Sequence, residues 1–261
     1  MLKFLTGSAV IGSLLTGMAM AADGVDLGLR SLPAPESSQN EFFGHVYMGG
    51  SAQQFASDGL WRGYSTIGGR VAYDPADHGI GFQADGKMDY SFTSSQIYRA
   101  QGTGHVTKTI SDETKIGAFV GYDKFQRASF GFEALTTLSP TLWLQSQMAV
   151  IDATTTGNIG FGAGGSIHQS LGSNFNLRGD LMYLNYTNIN STVYGAAVGG
   201  QYTLSAMPLS IGISGGYNYY NLAGTTDSEI LITGKLQYSF GGPAEGVRGK
   251  LFRTNVLGLQ P

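Results

Sequence analysis

Cysteine is absent from the 261 residues. Disulfides, thiolate catalysis and lipid anchoring through an N-terminal cysteine are therefore excluded, whatever compartment the chain occupies. Charge is scarce as well. Asp, Glu, Lys and Arg make up 13% of the chain, about half the ~25% of an average soluble protein. The formal net charge is −3, and loss of Lys3 with the leader described below takes it to about −4. No basic surface is available for nucleic acid, so that partner is not expected. After the leader, no segment approaches the ~20 apolar residues of a spanning helix. What is plentiful is glycine, at 40 residues, with 14 each of Tyr and Phe. Much glycine, many aromatics and few charges suit a β structure whose outer surface does not face water.

Met1-Leu2-Lys3 gives a short positive start, and residues 4–20 are apolar or small throughout. Ala19-Met20-Ala21 then forms a small-x-small cleavage pattern before Ala22. Residues 1–21 read as a signal peptide with Ala19, Ala21 and Ala22 around the cut. Glycines at 7, 12 and 17 weaken the alternative, a retained helical anchor. Residues 22–41 carry Pro33, Pro35, Ser37, Ser38, Gln39 and Asn40 without periodicity, as a flexible periplasmic segment would.

From residue 42 the pattern changes. Ile80, Phe82, Ala84, Gly86, Met88, Tyr90 and Phe92 alternate with Gly81, Gln83, Asp85, Lys87, Asp89 and Ser91. Side chains alternate across a strand, so one face is apolar and the other polar. The alternation recurs around 98–107, 115–123, 127–134, 175–183, 209–219 and 229–240, and more weakly near 42–54, 62–74, 141–152, 157–168 and 192–204. About twelve strands are expected, most near the ~9–11 residues of a tilted membrane strand.

The breaks carry turn chemistry: residues 74–79, Ser111-Asp112-Glu113, Ser139-Pro140, Gly172-Ser173-Asn174 and residues 205–208. Gaps this short forbid parallel crossovers, so the strands form an antiparallel up-and-down meander. A periplasmic N-terminus puts these five breaks on the periplasmic side. The breaks near 56–61, 93–95, 123–126, 153–157, 187–191 and 221–228 then become short external loops.

A soluble sandwich shares the alternation. Three features favour a closed transmembrane barrel. Most strands exceed the usual ~5–6 residues. The polar face holds many Gly, Ser and Thr, with few of the long Lys and Glu side chains of a solvated exterior. Tyr or Phe collects toward stripe ends, as at Tyr73, Tyr90, Phe92, Tyr98, Tyr122, Tyr183, Tyr217, Tyr219 and Tyr238, where an interfacial girdle would sit. A sheet in lipid must close on itself, because every backbone group needs a partner. The expected fold class is all-β, a closed antiparallel up-and-down transmembrane barrel.

The last segment, Gly234-Lys235-Leu236-Gln237-Tyr238-Ser239-Phe240, alternates and ends on an aromatic. It resembles the terminal strand of bacterial outer-membrane barrels. With the leader and the meander, residues 42–240 resemble the porin-like outer-membrane family. The resemblance implies that Gly234, Leu236, Tyr238 and Phe240 form the signal read by the barrel-assembly machinery. It also implies a place in a Gram-negative outer membrane, among its lipid and lipopolysaccharide. In that family the aromatic is normally the final residue. Here residues 241–261 follow, with Arg248, Lys250 and Arg253 and no strand period, as a periplasmic tail or a lumen plug.

For chemistry, His45, His78, His105 and His168 show no metal-ligand spacing, and no cofactor is expected. A lipid-hydrolysing barrel would need serine, histidine and an orienting group at the lipid-facing rim. His105 and His168 fall on the lumen face, His78 in a turn, and His45 on an ambiguous face, so no enzyme is expected. The glycine-rich stretch 160–165 lacks the lysine and following helix of a phosphate loop. The functional candidates are charges on the polar, lumen-facing parity: Arg70, Asp85, Lys87, Asp89, Arg99, Lys115, Asp123, Arg127, Glu133, Arg178, Asp180, Glu229 and Lys235. They either line an aqueous path for small solutes or ions, or pair across strands inside a closed interior. About twelve strands leave room for a narrow pore. Passive diffusion is the leading expectation. A structural or surface-interaction barrel with a blocked lumen is the alternative, and an outer-leaflet enzyme the third.

Overall fold

The structure is a computed structural model that describes residues 42–75, 79–94, 96–153, 158–187, 190–241, 247 and 249–253. The leader, its cleavage residues, the 22–41 segment, His78 and Arg248 lie outside the described residues. Twelve strands follow one another: β1 (Phe42–Phe55), β2 (Trp61–Tyr73), β3 (Ile80–Ser91), β4 (Gln96–Thr109), β5 (Thr114–Asp123), β6 (Arg127–Ser139), β7 (Leu142–Ala153), β8 (Asn158–Leu171), β9 (Phe175–Tyr186), β10 (Ser191–Thr203), β11 (Leu209–Leu222) and β12 (Thr225–Phe240). Each pairs antiparallel with its neighbours in sequence. β1 also pairs with β12, from Gly44 opposite Phe240 to Phe55 opposite Glu229. The sheet therefore closes into a barrel with no free edge, as the alternation anticipates.

Its polarity is the reverse of a water-soluble core. Ile67, Val120, Met148, Leu181, Val198 and Ile213 point outward and are 60–69% exposed. Gln83, Asp89, His105, Lys115, Asp123, Glu133, Gln145, Asp180 and Glu229 point inward and are buried. Each strand places the two sets on opposite faces because its side chains alternate. An apolar skin of this extent is costly in water and favourable in lipid.

Inside, glycine on one strand takes up a large side chain from the next. A Cβ on Gly131 would lie 2.6 Å from Phe119 Cζ, and one on Gly117 would lie 2.8 Å from Glu133 Oε1. The inward side chains thus lie flat along the wall instead of meeting across the axis.

Three expectations need correction. The β11–β12 connection spans only Ala223 and Gly224, not 221–228. Both residues have positive φ, 51° and 92°, the geometry of a two-residue hairpin turn that matches strand twist. Alanine hides that turn, because the usual marker there is Asn or Asp. Tyr98 does not join the outward aromatic stripe. The register of β3 and β4 shifts between Asp89 and Tyr90, and this bulge sets Tyr98 against the buried, inward Tyr64, with ring centroids 4.7 Å apart. Nor is the polar face polar throughout. Phe119, Ala149, Ile151, Met182, Leu184 and Val193 form a buried inward cluster, with Tyr186 and Tyr220 packed against it.

Candidate functional site

The lumen is the candidate site, and its charges fall into local groups set by strand register. On β2–β4 and β6, Asp85 sits between Arg70, at 3.4 Å, and His105 Nε2, at 3.3 Å. Gln83 Nε2 also donates to Asp85, at 2.8 Å. His105 Nδ1 lies 2.6 Å from Glu133 Oε1, so one imidazole bridges two carboxylates across the span of β5, where inward Gly117 leaves the space. Both side chains of that contact are fully buried. Nearer the opposite end, Asp89 receives Lys87, at 3.4 Å, and the Thr66 hydroxyl, at 2.6 Å. A buried charge is tolerated only when paired and hydrogen-bonded.

Most of the remaining candidates are held by neighbours as well. Lys115 meets Asp74 at 2.6 Å. Arg127 meets Asp123 at 2.5 Å, and Asp123 Oδ1 also accepts from the backbone N–H of Phe125 and Arg127, fixing the tight β5–β6 turn. Arg178 meets Asp180 at 2.6 Å, with Ser166 donating to the same carboxylate. Glu229 accepts from the Tyr220 hydroxyl and from Asn218. Arg99 lies over the Tyr98 ring. Lys235 stands apart: its Nζ has Gln237 Oε1 at 3.4 Å and the Tyr47 ring at 5.9 Å, and no carboxylate partner among the described residues.

The C-terminal tail enters this lumen. At Gly241, φ is 74° and a Cβ would lie 2.6 Å from Phe43 Cα, so the chain leaves the wall through a position that suits glycine. Val247 and Phe252 are fully buried against Leu135, with Trp143 alongside. The Val247 N–H donates to the Asp112 carbonyl at 3.4 Å, and Lys115 Nζ donates to the Lys250 carbonyl at 3.0 Å. Gln83 donates to the Phe252 carbonyl at 2.8 Å and accepts its N–H at 2.9 Å. Gln145 treats Arg253 the same way, at 2.7 and 3.1 Å. The Phe252 ring stacks on His105, with centroids 6.4 Å apart and 9° between planes. The tail is thereby fastened to the β3–β7 side, at the barrel end where β1 begins and β12 ends.

Fastening to one side leaves space on the other. A cavity of about 420 Å³ lies between the tail residues Gly249–Leu251 and Arg253 and the wall, lined mainly by β1, β2 and β8–β12, with Lys87 of β3, Gln101 of β4 and Trp143 of β7 at its border. Gly49, Gly199 and Gly200 line it, so the wall is thin there. His45 also lines it, which settles its face as the lumen. His168 reaches it stacked on Trp143, with centroids 3.5 Å apart. Among the described residues, no group of three or more His, Cys, Asp or Glu is arranged to hold a metal ion.

Alternation placed the charged residues and Gln83 on the inner face, and the lack of a strand period allowed the tail as a lumen plug, but nothing in the pattern singled out Gln83, Gln145, Trp143, Val247 or Phe252 as the groups that hold it. Neutral amides and a non-periodic tail carry no strand signal. The terminal-strand residues Gly234, Leu236, Tyr238 and Phe240 lie on the outer face of β12, opposite Gly50, Met48, Val46 and Gly44 of β1.

No family model and no curated protein matches the sequence. Solved structures do match the fold. The CymD monoaromatic hydrocarbon channel aligns at 10% identity, covering 78% of this chain and 90% of its own, with a TM-score of 0.56. The KdgM porin aligns at 10% identity over 76% of this chain and 99% of its own, with a TM-score of 0.52. The NanC porin aligns at 10% identity over 74% and 98%, with a TM-score of 0.50. The shared feature is the barrel fold.

Proposed function

We propose that this chain is a bacterial outer-membrane porin-like barrel that admits small polar solutes or ions through a lumen narrowed by its own tail. The observation that carries the reading is the cavity left beside the tail, inside a closed barrel whose outer skin is apolar. The apolar skin suits contact with lipid and lipopolysaccharide. On this reading residues 1–21 direct export and are removed at Ala21–Ala22, residues 22–41 lie in the periplasm, and the assembly machinery reads the outward residues of β12. The end holding both barrel termini faces the periplasm, so the tail guards the periplasmic mouth. The fold neighbours are named as porins and channels, and conduction is extended to this chain as part of the proposal.

A second reading is favoured by two particular features. The tail is pinned by paired glutamine bonds, and the inward apolar cluster packs the β5–β11 side. On that reading the barrel is closed and serves structure or surface interaction. Swelling of proteoliposomes in a small neutral sugar separates the two. Swelling above that of protein-free vesicles is expected for the channel. Its absence, in vesicles shown to hold folded barrel, would favour the closed one.

A further inference from the structure

The cavity beside the tail is lined by Arg70, Lys87, Arg178, Lys235, Lys250 and Arg253, and among the described residues no carboxylate belongs to its lining. Three of these cations are offset from behind, Arg70 by Asp85, Lys87 by Asp89 and Arg178 by Asp180. Lys235 and Lys250 have no ion pair among the described residues. Lys235 is half-buried against Tyr47, and Lys250 lies 5.4 Å over the Trp143 ring. An ammonium withdrawn from water without a counter-charge is costly, and two of them facing one cavity among guanidinium groups raise that cost. An anion between them would remove it, with charge-assisted bonds on several sides.

The cavity suits such a guest. Gly49 and Gly199, on the inward parity of β1 and β10, put no side chain into the cavity, and the volume of about 420 Å³ accommodates a small organic molecule. The His168 Nε2 is buried without a hydrogen-bond partner among the described residues, and the stacked Trp143–His168 pair offers an apolar plane beside the charges. A ring of cationic side chains around a low-dielectric pathway also sets ion preference.

We propose that this cavity binds small carboxylate-bearing anions and makes the barrel anion-selective. The selectivity rests on the channel reading; the binding does not. Two measurements on the refolded full mature chain separate them: calorimetric titration with succinate, and the reversal potential of barrel-containing bilayers in a potassium chloride gradient. Saturable succinate binding and chloride preferred over potassium are expected. Lys235→Gln with Lys250→Gln should weaken binding by about tenfold or more and move the permeability ratio toward potassium, while Lys235→Arg keeps both. Lys250→Gln, which alters no strand, is read alone if the double variant does not fold. Succinate binding to a barrel that passes no current supports the site and contradicts the channel reading. Lack of succinate binding, unchanged binding in the glutamine variants, or a potassium-selective wild type would overturn the inference.

Discussion

Gln83 grips Phe252 by both ends of its amide, giving a hydrogen bond to the carbonyl at 2.8 Å and taking one from the N–H at 2.9 Å. A wall side chain here does what a neighbouring strand would do. The tail needs this, because inside a barrel its backbone has no ladder to join and an unpaired buried amide is costly. Gln145 repeats the device on the very next residue, Arg253. Two consecutive tail residues are thus held from β3 and β7, on different sides of the buried Phe252 ring.

The tail should therefore come loose when these amides are lost. Gln83→Ala with Gln145→Ala removes the four hydrogen bonds to the tail, along with the Gln83–Asp85 bond, each tail pair costing about 1–3 kcal/mol when its buried partner is left unsatisfied. Trypsin should then cut the folded barrel after Lys250 or Arg253 much faster than it cuts the parent. Equal cleavage rates would show that the glutamines do not hold the tail.

His105 is the keystone of the inner charge cluster, between Asp85 and Glu133 and beneath Phe252. His105→Ala leaves two carboxylates facing each other in a buried space. A loss of about 3–5 kcal/mol is expected in urea unfolding from lipid vesicles. Glu133→Gln keeps the shape and a hydrogen-bonding group, so it should cost less than His105→Ala. The reverse order would contradict the bridging role.

Val198 lies midway along β10 and is 69% exposed on the outer face. If that face meets the hydrocarbon, Val198→Arg should destabilise the barrel in lipid by about 2–4 kcal/mol. In water a surface arginine costs little. Unfolding titrations in phospholipid vesicles measure the difference, and a cost near zero would argue that the apolar skin is not lipid-facing at this height.

Strand existence and parity were legible because the two faces of most strands differ sharply in polarity. The segment 79–92 returns as β3 (Ile80–Ser91), and Asp85, Lys87 and Asp89 share the inner face as the alternation requires. Two of the weaker segments share a physical cause. Ala149 and Ile151 on β7 and Val193 and Ala197 on β10 face inward yet are apolar, so both faces of those strands read alike and the period of two fades. The bulge at Tyr98 was hidden because a single inserted residue shifts parity without changing composition. The tail was hidden more completely. Val247 and Phe252 gain their meaning from Leu135, His105 and Gln83, more than a hundred residues away, and no local pattern records such a contact.

Single-channel recording in a planar bilayer, comparing the mature chain with one ending at Gly241, tests the central claim most directly. A narrow lumen partly occupied by the tail predicts small steady openings for the mature chain and clearly larger ones for the shortened chain. Silence from both, with folded barrel present in the membrane, would contradict the channel reading and leave a closed structural barrel as the account.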